Sequence, residues 1–217
     1  MLSKLREPFN GLSHLAGAFL GFIGMIAMLI LAWGSPAKVA AVLVYSLGLM
    51  AMFLASGIYH SAMVRPDFLQ TLRKIDHSAI FLLIAGTYTP FCLLAFTGFW
   101  HWGLLALIWV IAASGIVGTV FYIKSQRWLH TGIYVAMGWL CVMAAPQMPA
   151  VLPTAAIVWL FVGGVIYTLG AVVYATKTLD FVPGKFGFHE VWHIFVLLGA
   201  LAHFVAVLFL LVPPAVA

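Results

Sequence analysis

The chain has 217 residues, of which 65% are hydrophobic and only 7% charged; ten Lys and Arg against five Asp and Glu give a net charge of +5. Soluble domains are about 25% charged, so this composition excludes a water-soluble globule, and its hydrophobicity excludes intrinsic disorder. What remains is an integral membrane protein, a single domain over residues 1–217 with no room for a folded part outside the lipid.

Hydropathy and helix breakers divide it into seven segments, each near the ~20 residues that a spanning helix requires. Lys4 and Arg6 precede the first, 12–33, with Glu7, Asn10 and His14 at its entrance. The apolar run from Leu15 to Trp33 is longer than the core of a secretion signal, which predicts a retained span. Gly34-Ser35-Pro36 separates it from 40–62, which carries Ser56 and His60 in its last turns. After Pro66-Asp67 comes 76–97, opening on Asp76 and His77; Thr97-Gly98 leads to 102–123. The fifth segment, 128–146, ends in a turn from Pro146 to Pro153, and the sixth is 153–175. Pro183-Gly184 precedes the seventh, 189–211, which opens on His189-Glu190-Val191-Trp192-His193. Runs of this length must be helices, because lipid satisfies no open strand edge, and the alternation of a membrane β-barrel is missing. Small residues at Gly17, Gly21, Gly24, Gly163, Gly164 and Gly170 predict close helix approach.

Every Lys and Arg except Lys38 falls at one set of segment ends: Lys4 and Arg6; Arg65, Arg73 and Lys74; Lys124 and Arg127; Lys177 and Lys185. That bias predicts a seven-transmembrane helix bundle with its N-terminus cytoplasmic and its C-terminus outside. The basic residues come in ones and twos without a patch, which argues against a nucleic-acid partner. Cys92 and Cys141 lie inside apolar segments and suggest no disulfide framework. Phe99, Trp100 and Trp102 read as an interfacial belt.

In this topology Ser56, His60, Asp76, His189 and His193 converge on the cytoplasmic layer of the bundle. His189 and His193 stand four residues apart, on one helix face, where both can ligate one metal. Three imidazoles with one open position is the pattern of a catalytic rather than a structural zinc. Asp76 would then hold or deprotonate the metal-activated water, and Ser56 would donate to a developing oxyanion. The run from His189 to His193 also matches H-E-x-x-H, in which Glu190 would be the base. His60 and Asp76 on the same rim favour Asp76 in that role. His77, His101, His130 and His203 read as helix–helix hydrogen bonders.

Three motifs resemble those of the haemolysin III-related family, the bacterial branch of the superfamily of progestin and adipoQ receptors. Glu7-Pro8-Phe9-Asn10-Gly11-Leu12-Ser13-His14 is similar to its E-x-x-N-x-x-[ST]-H opening. Ser56-Gly57-Ile58-Tyr59-His60 followed by Asp76 is similar to its S-x-x-x-H…D element. The stretch from Pro183 to His193 is similar to its P-G-x-F…H-x-x-x-H element. The resemblance implies seven helices, with zinc held by His60, His189 and His193 beside Asp76 and Ser56. Through the related alkaline ceramidases it implies hydrolysis of an amide or similar bond in a membrane lipid. It also implies a role in membrane-lipid homeostasis and, for a bacterial member, the inner (plasma) membrane. The competing readings are a sensor of membrane state whose zinc is structural, and a pore-forming or haemolytic protein. For Glu7, Asn10 and His14 the position fits either an anchor for the first span or a wall of the site.

Overall fold

The computed structural model describes residues 5–122, 127–182 and 186–211. The expected Lys4, Lys124 and Lys185, with the Pro183-Gly184 turn, lie outside the described residues. Among the described residues the chain is helical. It has no strand, only an isolated antiparallel bridge between Val182 and Phe186.

The helices are α1 (Pro8–Ala32), α2 (Pro36–Ser61), α3 (Pro66–Leu94), α4 (Phe99–Tyr122), α5 (Arg127–Trp139), α6 (Met148–Val151), α7 (Thr154–Thr176) and α8 (Phe188–Leu211). Six of them, all but α5 and α6, are long and apolar enough to cross a membrane. The protein is therefore a multi-pass membrane protein. Exposure follows that solvent: Ile30, Phe121 and Trp33 point outward, whereas Asn10, His14, Ser56, His60, Asp76 and His193 are buried.

Proline opens α1, α2 and α3, where its missing N–H costs nothing and its fixed φ suits the first turn. That explains the difference at α3. The Pro66-Asp67 pair, expected as a turn, is a helix start, with Asp67 in the first turn where the helix dipole favours an acid. The helix is 29 residues long, and Asp76 sits about three turns inside it rather than at its entrance. Pro90 is tolerated in its interior, flanked by Thr87 and Thr89 hydroxyls that donate to the Leu83 and Ala85 carbonyls at 2.8 and 2.9 Å.

The segment expected at 128–146 is not one uniform helix. α5 has 13 residues and continues as a tighter 3₁₀ stretch, Leu140–Ala144. The cause is a side chain from α3. The Tyr88 hydroxyl lies 2.9 Å from the Met137 carbonyl and 2.8 Å from that of Gly138, and accepts the Cys141 N–H at 2.7 Å. In an α-helix the Cys141 N–H would bond to the Met137 carbonyl. An inserted hydroxyl intercepts that bond and the winding tightens. The turn expected from Pro146 to Pro153 contains the four-residue α6.

Consecutive helices pack closely (α1 on α2, α2 on α3, α3 on α4, α7 on α8), and α1 against α8 brings the first and last together. The tightest seam is α2–α3. A Cβ on Gly48 would lie 2.7 Å from the Leu82 carbonyl, and one on Gly86 would lie 3.1 Å from that of Val44. The two backbones thus touch directly, which only glycine permits. At the far end of the bundle Lys38 Nζ donates to the Leu211 carbonyl at 3.1 Å, a cation at the C-terminus of α8.

A candidate metal centre at one rim of the bundle

The end of α2 and the starts of α1, α3 and α8 meet at one rim. His60, His189 and His193 come together there, with ligand-capable atoms all within 4.8 Å of one another; His60 and His193 are buried and His189 is half-buried. The His60 ring centroid lies 4.9 Å from that of His189 and 4.7 Å from that of His193, and the latter two are 5.0 Å apart. Three neutral imidazoles this close are the donor set that zinc prefers. His193 Nδ1 is enclosed without a hydrogen-bond partner, a costly condition in an apolar setting that a shared cation would relieve. The residues present fit a zinc ion.

The remaining expected residues divide cleanly. Ser56 on α2 and Asp76 on α3 are both buried. Both residues line the same cavity as the three histidines, together with Arg73, His77 and His130. This cavity, about 260 Å³, runs along α3 past Leu83, Thr87 and Phe91 to Phe96, and along α7 as far as Leu160. Away from the rim its wall is mostly apolar, with Tyr88, Tyr167 and His203 among the lining residues.

Glu190, the alternative base, is spent on structure. Its Oε2 accepts the Gly187 N–H at 2.9 Å, as the return half of a capping box does, and its Oε1 accepts from Asn10 Nδ2 at 3.0 Å. Of the other expected bonders, His77, His130 and His203 line the same cavity. His203 Nε2 bonds to the Leu160 carbonyl at 3.1 Å, tying α8 to α7, and His101 Nδ1 bonds to the Phe96 carbonyl at 3.2 Å. The His77 ring lies 5.9 Å from that of His130, and its carbonyl accepts from Tyr134 at 3.0 Å.

Glu7, expected either as an anchor for the first span or as a wall of the site, is a direct neighbour of the centre. Glu7 Oε2 lies 2.5 Å from His60 Nδ1 and 3.8 Å from His189 Nδ1, and accepts from Asn10 Nδ2 at 3.2 Å. Partial burial raises the Glu7 carboxyl, but the hydrogen bonds from His60 and Asn10 and the nearby Arg6 guanidinium outweigh it and hold it below the usual carboxylate range. The readable signal was its place one turn before Asn10 on the rim that already held the histidines. His14, from the same motif, is buried with its ring 3.9 Å from that of His193 and 5.0 Å from that of Phe53. It forms a wall of the site.

Comparison with known proteins agrees with the motifs. The profile of the family described as Haemolysin-III related matches residues 2–204. A Hemolysin-3 homolog of Bacillus subtilis (strain 168) is 35% identical over 211 residues, covering 96% of each chain. Hemolysin-3 of Bacillus cereus is 36% identical over 211 residues, covering 96% of this chain and 93% of the relative. The human Monocyte to macrophage differentiation factor is more distant, 27% identical over 168 residues, 76% of this chain and 67% of that one. The chain belongs to the haemolysin III-related family.

Proposed function

We propose that this haemolysin III-related protein is a zinc-dependent hydrolase that cleaves an amide or ester bond of a membrane lipid and so contributes to membrane-lipid homeostasis. The observation that carries the reading is a three-histidine centre and a buried acid at the rim of a cavity whose deeper wall is mostly apolar. In this reading the chain spans the bacterial inner membrane seven times, with α5 and its 3₁₀ extension as the fifth and shortest crossing. The basic residues at the ends nearest the site put it on the cytoplasmic side.

His60, His189 and His193 hold the ion. Zinc, when bound, supplies Lewis acidity and makes water nucleophilic near neutral pH. Asp76 takes the proton from the attacking water and returns it to the leaving group, and Ser56 donates to the developing oxyanion. The cavity holds the acyl chain and thereby fixes where the scissile carbonyl lies. Phe91, Phe96 and Phe161 line the cavity in depth.

A second reading has one observation of its own. The three histidines tie α2 to α8, so a metal here also serves as a clamp, as in a non-enzymatic sensor. The names of the two Bacillus relatives suggest a third, lysis. Metal analysis and turnover together separate them. The purified wild type should carry roughly one zinc per chain, as a single tetrahedral site requires, and release fatty acid from a panel of amide and ester lipids. Asp76→Asn should keep the zinc and lose the release. A zinc-free wild type overturns the proposal. Zinc with no release from any lipid leaves the clamp, and ion leak from reconstituted liposomes points to the pore.

A further inference from the structure

Glu7, Asn10 and Glu190 have no part in the chemistry above, yet they form one connected network against the centre. The contact that matters is Glu7 Oε2 on His60 Nδ1, at 2.5 Å. A neutral imidazole carries one N–H, and a carboxylate can only accept it, so the proton is fixed on Nδ1 and the lone pair on Nε2. We propose that Glu7 is the positioning residue of the metal centre: it holds His60 in the single tautomer and ring orientation that presents Nε2 to the ion shared with His189 and His193. This rests on the metal reading above and adds to it the residue that prepares the ligand before any ion arrives.

The surroundings fix Glu7 from several directions. Its backbone N–H donates to the His60 carbonyl at 2.9 Å, so the start of α1 is tied to the ligand's own residue. The Arg6 guanidinium lies 3.3 Å from Glu7 Oε1 and 4.3 Å from the centre of the Tyr59 ring. The Asn10 amide donates both to Glu7 and to Glu190, which in turn holds the Gly187 N–H at the start of α8. One amide thus couples the carboxylate behind His60 to the helix that carries His189 and His193. Carboxylates behind a ligating imidazole restrict its tautomer and orientation, and removing one typically weakens metal binding 10–100-fold.

The test uses the full chain in detergent micelles, with zinc affinity measured by competition against a chromophoric chelator. Glu7→Gln keeps the shape of the side chain and the start of α1 intact. It should weaken zinc binding about 10–100-fold while the metal-free protein melts as the wild type does; Glu7→Ala should weaken it at least as much. Nitrogen NMR of labelled histidine in the metal-free protein supplies a readout that a simple anchor would not move. His60 should be protonated at Nδ1 in the wild type and a mixture of tautomers in Glu7→Ala. Wild-type affinity in both variants overturns the proposal, as does an unchanged tautomer. If the wild type itself binds no zinc, the metal reading fails, and the metal-free tautomer measurement still decides the part played by Glu7.

Discussion

The Tyr88 hydroxyl stands inside the hydrogen-bond ladder of the neighbouring helix, accepting the Cys141 N–H at 2.7 Å while facing the Met137 and Gly138 carbonyls. Two helices therefore share one set of backbone bonds, and the junction of α5 with its 3₁₀ extension depends on a residue from α3. Tyr88→Phe removes the hydroxyl and leaves that N–H without its acceptor, which costs about 1–3 kcal/mol where the group is buried. Thermal unfolding in detergent should show the loss, and hydrogen exchange should speed up locally at Cys141. Unchanged protection there would show that the helix re-forms its own bond.

Gly48 and Gly86 make a graded pair. A methyl on Gly48 would come 2.7 Å from the Leu82 carbonyl, whereas one on Gly86 would come 3.1 Å from that of Val44. Both neighbours are backbone and cannot rotate away. Gly48→Ala should destabilise the protein by about 1–3 kcal/mol, as overpacking does, and Gly86→Ala by less. Because the same two helices carry Ser56 and Asp76, Gly48→Ala should also depress turnover, measured on the lipid substrate identified by the panel.

Asp76 and Glu190 are separable by mutation. The Glu190 oxygens serve Gly187 and Asn10, so Glu190→Gln should retain turnover within several-fold and lose some stability. Asp76→Asn should lose about 10²–10⁴-fold, the contribution typical of a general base. Turnover that survives Asp76→Asn and disappears in Glu190→Gln would move the base to Glu190.

The histidines sort in the same way. His193→Ala should abolish stoichiometric zinc, whereas His203→Phe should leave it unchanged. The latter breaks one interhelical bond to the Leu160 carbonyl, worth about 0.6 kcal/mol on average between helices in a membrane. Metal analysis and melting temperature on the same preparations read both effects.

Removing the ion should loosen the bundle reversibly. A ligand present at 100 times its dissociation constant stabilises by about 2.7 kcal/mol. A chelator should therefore lower the melting temperature, and added zinc should restore it. In His60→Ala the chelator should have no effect.

The membrane-spanning class and the rough extents of most helices were legible because apolar length is a strong signal. So was the gathering of His60, His189 and His193, since helix direction alternates and i, i+4 spacing fixes a face. The start of α3 was misread because proline followed by an acid marks a turn and a helix entrance equally well. The tightening after Trp139 could not be read, because its cause is a tyrosine distant in the chain. For Ser56 the spacing showed that it was near the site, and the structure places it in the lining of the same cavity. The motif of Glu7, Asn10 and His14 was visible as a pattern, yet its use depends on tertiary contacts with α2 and α8.

The Asn10–Glu190 bond joins residues 180 positions apart. During synthesis α1 enters the bilayer first and its partner on α8 arrives last, so loop closure must span nearly the whole polypeptide. A nascent or truncated chain that stops short of α8 lacks two of the three histidines and the acceptor for Asn10. The rim therefore forms only once α8 has docked against α1.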